Sequence, residues 1–168
     1  MNAPVLGPPL TSPTTYFEDF YVGQRIRHAR GATVGDVENN FLSKLVMNTA
    51  QGHWNKHYTG GGKLGPGQVV FGLLTASIVL GLASADTTDN ALAELGCTGF
   101  RFRGAVRQGD TLYAFTEVLG VDGALPPATP SAGIVHFKHW GVNHEHTLVF
   151  EGERTALIKR RQPPGDPT

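Results

Sequence analysis

Val69-Val70-Phe71-Gly72-Leu73-Leu74-Thr75-Ala76-Ser77-Ile78-Val79-Leu80-Gly81-Leu82-Ala83-Ser84-Ala85 contains no charged side chain. Its apolar residues fall at every helical offset, not along one stripe, which predicts a helix buried on all sides. The run is slightly short for a bilayer span and is interrupted by Gly72, Thr75, Ser77 and Gly81, so the protein itself is expected to wrap it. Downstream, Thr98–Arg103 alternates, with Phe100 and Phe102 on one face and Arg101 and Arg103 on the other. Gln108-Gly109-Asp110 turns the chain into Thr111–Leu119, where Leu112, Ala114, Thr116 and Val118 share a side. Gly133–Trp140 and Thr147–Lys159 read as two further strands, and Gly120–Ser131, with Pro126, Pro127 and Pro130, as a loop. One apolar helix among antiparallel strands predicts an α+β domain whose sheet curls around that helix.

Upstream, Arg25-Ile26-Arg27-His28 reads as a short strand after the Val22-Gly23 turn. Thr33 or Gly35-Asp36 caps a helix that is expected to run to about Asn48, with Val37, Phe41 and Leu45 one turn apart as its apolar face. The remaining composition sets limits. In 168 residues, 40% are hydrophobic and 17% charged, enough to bury one core. Fourteen basic residues balance fourteen acidic ones, which argues against a nucleic-acid or anionic-membrane partner. The single cysteine, Cys97, leaves no internal disulfide framework, and Met1–Pro13 lacks the basic start and apolar core of a signal peptide, so a cytoplasmic protein is expected. The expected organisation is a flexible tail at 1–14, one domain at 15–162, and a flexible tail at 163–168.

Chemistry-bearing side chains concentrate in Asn48-Thr49-Ala50-Gln51-Gly52-His53-Trp54-Asn55-Lys56-His57-Tyr58. Two histidines, several amides and two aromatics follow directly on an apolar helix, a pattern expected of a functional loop on a rigid scaffold. The glycines from Gly60 to Gly67 then bound a loop able to admit or cover a ligand. His136 and His139 read as one face of a strand with His144 and His146 in the next turn, but no carboxylate or cysteine completes a familiar ligand spacing, and no metal site is expected.

Taken in order, Phe17-Glu18-Asp19-Phe20 with Val22-Gly23, Thr33-Val34, Phe41–Asn55, Phe71-Gly72-Leu73-Leu74-Thr75, Gly109-Asp110-Thr111-Leu112 and Lys159-Arg160-Arg161 resemble the MaoC-like hydratases and dehydratases. The resemblance spans about Tyr16 to Arg161. It implies the hot-dog fold, a sheet wrapped around a long central helix, with units paired as homodimers or higher even oligomers and each site at the seam. It also implies an acyl-CoA thioester as substrate, with coenzyme A entering only as part of that substrate and no other cofactor. The family motif places an aspartate five positions before a histidine. Here the histidine is His53, and the aspartate position holds Asn48.

By this resemblance His53 and Asn48 are the catalytic pair. His53 is suited to move a proton near neutral pH, whereas an amide can only hold and orient a water. Gly72 and Phe71, at the start of the apolar helix, and Asn55 and Trp54 are the candidate oxyanion and substrate-binding residues, because free N–H groups at a helix start stabilise a developing negative charge. Arg101, Arg103, Arg107 and Lys159–Arg161 either meet the coenzyme phosphates or form ordinary solvated faces. Hydration of an α,β-enoyl-CoA, or the reverse dehydration, is the leading expectation; a non-catalytic acyl-thioester-binding subunit and an acyl-CoA thioesterase are the alternatives.

Overall fold

The computed structural model describes residues 15–58, 65, 67–123 and 131–161. Within these, strand β1 (Arg25–Thr33) leads through Gly35 into helix α1 (Asp36–Leu45), a 3-10 turn at Gln51–His53 and helix α2 (Gly72–Thr87). Four long strands follow: β2 (Ala91–Phe102), β3 (Thr111–Asp122), β4 (Ala132–Asn143) and β5 (Leu148–Lys159). They form one sheet in the order β1-β3-β4-β5-β2, antiparallel throughout. The expected tails, 1–14 and 163–168, lie outside the described residues, as do most of the Gly60–Gly67 loop and residues 124–130. No helix among the described residues is long and apolar enough to cross a membrane.

The α+β expectation holds, and the alternation that carried it is seen directly. Leu112, Ala114, Thr116 and Val118 of β3 are all buried, Leu112 and Ala114 in one apolar cluster with Leu74 and Val79 of α2. Gly141 of β4 lets the helix come close, because a Cβ there would run into Val79 of α2. Gly99 of β2 takes φ +63° within the register shift between Thr98 and Arg101 in its pairing with β5, a bulge position.

Several boundaries move. β1 extends to Thr33 and β2 begins at Ala91, well before Thr98; α1 stops at Leu45, short of Asn48; α2 starts at Gly72 and runs to Thr87. The expected apolar face of α1 is the outer one: Val37, Phe41 and Leu45 are exposed, while Asn39 and Ser43 are buried. Nor is α2 wrapped on all sides. Leu73, Ser77 and Gly81, four residues apart, form an exposed stripe. Among the described residues β2 is paired on one side only, with β5, and every residue from Leu92 to Gly99 is exposed. His136 and His139, three apart, point to opposite faces of β4: the first is exposed and bonded to Thr155, the second fully buried.

The core has two apolar clusters. One gathers Val34, Leu74, Val79, Leu112, Ala114 and Phe150; the other Phe20, Ile26, Val118, Phe137, Ala156 and Ile158. A buried polar belt lies between them. His28 of β1 falls between Ile26 and Val34, the residue just after the strand, and along β3, Thr116 falls between Ala114 and Val118. His28 Nδ1 lies 2.7 Å from Asp86 of α2, and Thr116 Oγ1 joins His28 Nε2 at 2.7 Å to His139 Nδ1 at 2.8 Å. Burial is the largest influence on both histidines and lowers their pKa values; Asp86 opposes it at His28, while Arg154 and His28 reinforce it at His139, which is pushed down to about 3. With both rings neutral the proton positions follow: His139 donates to Thr116, Thr116 to His28, and His28 to Asp86.

Candidate active site

The loop after α1 is shaped by backbone and side-chain bonds rather than by packing alone. Met47 adopts φ +54°, reversing the chain, and Asn48 N–H returns to the carbonyl of Ser43 at 2.8 Å. The Asn48 Oδ1 accepts the N–H of Ala50 at 2.9 Å, an Asx turn, and its carbonyl accepts the Trp54 indole N–H at 2.9 Å. This folds Gln51–His53 into its 3-10 turn and sets the half-buried His53 facing the segment before α2. There Val69 N–H reaches the carbonyl of Gly52, and His53 Nδ1 lies 2.8 Å from the carbonyl oxygen of Val69. A carbonyl only accepts, so Nδ1 carries a proton, and in the neutral ring Nε2 is the atom with the free lone pair.

Helix α2 begins beside this histidine. The His53 and Phe71 rings have centroids 5.5 Å apart. Phe71 caps the helix, its carbonyl accepting the N–H groups of Leu74 and Thr75. Its own N–H is taken by Asn39 Oδ1 at 2.9 Å. The N–H groups of Gly72 and Leu73 precede the first intrahelical donor, Leu74, as at any helix start, and make no hydrogen bond to another described residue. A cleft of about 430 Å³ opens here, lined by His53, Phe71, Gly72, Leu73, Thr75, Phe102 and Arg103 among others.

The structure thus brings His53, Phe71 and Gly72 together at one cleft. Asn48, Trp54 and Asn55 stand on the same loop but outside the cleft lining. Asn55 is engaged within its own turn, accepting the N–H groups of His57 and Tyr58. The basic residues separate. Arg103 lines the cleft, ion-paired with Glu151, whose carboxyl it holds below the usual carboxylate range. Arg160 and Arg161 lie at the opposite end of β5, where they tie down Glu18 and Asp19 and cover the Phe17 and Tyr16 rings. Two contributors escape the sequence reading: the Val69 carbonyl and Asn39, whose Nδ2 donates to the His53 carbonyl at 2.8 Å. The usable signal for Asn39 was the polar pair Asn39 and Ser43, one helical turn apart opposite Val37, Phe41 and Leu45.

The mesaconyl-CoA hydratase family model matches residues 11–160. The chain belongs to the mesaconyl-CoA hydratase family. It is 34% identical over 163 residues to a mesaconyl-CoA hydratase of Haloarcula marismortui, covering 90% of this chain and 44% of that protein. It is 32% identical over 158 residues to a β-methylmalyl-CoA dehydratase of Chloroflexus aurantiacus, covering 91% and 42%. A solved MaoC domain dehydratase from Chloroflexus aurantiacus superposes with a TM-score of 0.79 at 24% identity, over 89% of this chain and 46% of that one. The fold is the hot-dog, as the resemblance implied. The chain spans less than half the length of these curated family members.

Proposed function

We propose that this chain adds water across the double bond of a mesaconyl-type α,β-unsaturated CoA thioester and catalyses the reverse dehydration. The observation that carries the reading is the fixed tautomer of His53, whose Nδ1–H is held by the Val69 carbonyl beside the start of α2. His53 Nε2 removes a proton from water as the water oxygen bonds to the β-carbon. The π-electrons move toward the thioester oxygen, where the N–H groups of Gly72 and Leu73 and the helix dipole stabilise the enolate. Collapse of the enolate takes the proton from His53 onto the α-carbon, so the ring ends as it began. Asn48, with Oδ1 engaged by Ala50, offers its Nδ2–H donors to hold the water. Positioned acid–base catalysis of this kind contributes roughly 10²–10⁴-fold.

The unit works as a pair with a second copy of itself. Three surfaces support this: the unpaired edge of β2, the Leu73–Ser77–Gly81 stripe of α2, and the exposed Val37, Phe41 and Leu45 of α1. Arg103 and Phe102, at the end of that same strand, line the cleft, so a second unit on this edge would adjoin it.

The decisive assay follows loss of enoyl-thioester absorbance with mesaconyl-CoA and crotonyl-CoA, alongside His53→Ala, Asn48→Ala and Asn48→Asp. Turnover of mesaconyl-CoA that falls at least 10³-fold in His53→Ala and less in Asn48→Ala supports the mechanism. A wild type that binds the thioester without turnover, and gains it in Asn48→Asp, would establish a binding subunit instead. Sedimentation velocity tests the pairing: a species of a single chain at micromolar concentration refutes it.

A further inference from the structure

We infer that Asn39 is a positioning residue for His53, an inference that rests on the proposed hydration. Asn39 is 4% exposed, on the inner face of α1. Its Nδ2 donates to the His53 carbonyl at 2.8 Å, and its Oδ1 accepts the Phe71 N–H at 2.9 Å. One amide therefore spans the loop that bears the base and the residue that caps the helix bearing the oxyanion donors. The proton passed from water to the α-carbon and the charge at the thioester oxygen are handled by groups on these two segments, and Asn39 fixes their separation. Gln68 Nε2 approaches the same His53 carbonyl at a longer 3.4 Å and is a weaker second tether.

The chemistry selects asparagine. The position needs a donor toward a carbonyl and an acceptor toward an N–H on one short planar group. An aspartate keeps the acceptor, loses the donor and sets a negative charge against the His53 carbonyl. An alanine loses both bonds. Misplacement of a reacting group by about 1 Å costs about 10²-fold in rate, so loosening this tether acts on kcat. Substrate binding along the rest of the cleft leaves KM less affected.

The test uses the full chain with mesaconyl-CoA, comparing wild type, Asn39→Asp, Asn39→Ala and Gln68→Ala. Ring-15N histidine spectra accompany the kinetics, with the His53 signals assigned by their loss in His53→Ala. Expected are the Nδ1–H tautomer of His53 in wild type, loss of that fixed tautomer in Asn39→Ala, a kcat reduced roughly 10–100-fold with KM within about threefold in both Asn39 variants, and a smaller effect in Gln68→Ala. In Asn39→Asp the acid limb of the pH–kcat profile moves up, because an added carboxylate favours the imidazolium. The tautomer is read without turnover, so an inactive wild type with the expected spectra removes the proposed hydration and leaves the tether standing. Folded Asn39 variants with unchanged tautomer and kcat overturn the inference. Failure of both to fold, judged by melting, overturns it too, since Asn39 would then be a residue of the fold.

Discussion

A Cβ built on Gly72 would stand 3.1 Å from Cε1 and Cζ of Phe102, so α2 starts directly against the ring at the end of β2. Glycine at this point leaves the first helical N–H groups approachable from the cleft. The same contact explains close helix–sheet packing, and substitution separates the two roles. Gly72→Ala gains about 0.5–1 kcal/mol of helix preference and loses a similar amount to pressure on Phe102, a half-exposed ring that can yield. The melting temperature is expected to move by only a few degrees while kcat falls about tenfold. Equal losses in both, or neither, would assign Gly72 to packing alone.

Acid should destabilise the protein through the belt. His139 titrates near 3 when folded and near the ordinary histidine value of about 6.5 when unfolded. Between these values the unfolded chain binds the extra proton, so this stability is present above pH 6.5 and is lost as pH falls toward 3. The slope is about 1.4 kcal/mol per pH unit, or about 2 kcal/mol between pH 7 and pH 5. His28, also lowered by burial, adds in the same direction. Urea midpoints at the two pH values measure the loss, and His139→Asn, which keeps a donor for Thr116, should flatten the difference.

Asp86→Ala removes the carboxylate that receives the His28 ring proton in the core. Breaking such a buried, charge-assisted bond costs about 3 kcal/mol. The denaturation midpoint should fall with little change in slope. A loss under 1 kcal/mol would mean that water replaces the carboxylate.

Trp54→Phe deletes the indole N–H that reaches the Asn48 carbonyl and keeps the ring. One such bond contributes about 1 kcal/mol to stability. If Asn48 holds the reacting water, kcat should drop several-fold as that residue loosens, more than Tm would suggest. Unchanged kcat would separate the loop's shape from the chemistry.

The sequence was most legible where a side chain's environment follows from its immediate neighbours. The uncharged run around Val79 announced α2, and the alternation of Leu112, Ala114, Thr116 and Val118 announced β3. Phe100 and Phe102 do share a face, both meeting Phe150. The first half of β2 was missed because Ala91–Cys97 sets Leu92 and Leu95 three apart among small residues, without alternation, and its strand character comes from pairing with β5. α1 was read inside out: periodicity identifies a stripe but not which way it faces, and here the polar side is buried because Asn39 bonds two other segments. His53 was singled out through the family resemblance; the Val69 carbonyl that accepts from its ring has no side-chain signature. The belt was invisible for a related reason, since His28, Asp86, Thr116 and His139 come from four separate elements whose meeting depends on the sheet order.

The belt also determines where α2 stops along its own axis. A helix seated only on aliphatic side chains can slip or turn against a sheet at small cost, because dispersion contacts are not directional. Asp86 to His28, and Ser84 to Arg154, are directional, and they fasten the helix near its C-terminal end. Gly72 lies fourteen residues back along the same rod, about 21 Å at the helical rise. The fastening is therefore a datum from which the position of the cleft's N–H groups is measured, and a change at Asp86 would be felt at the other end as a shift in axial alignment.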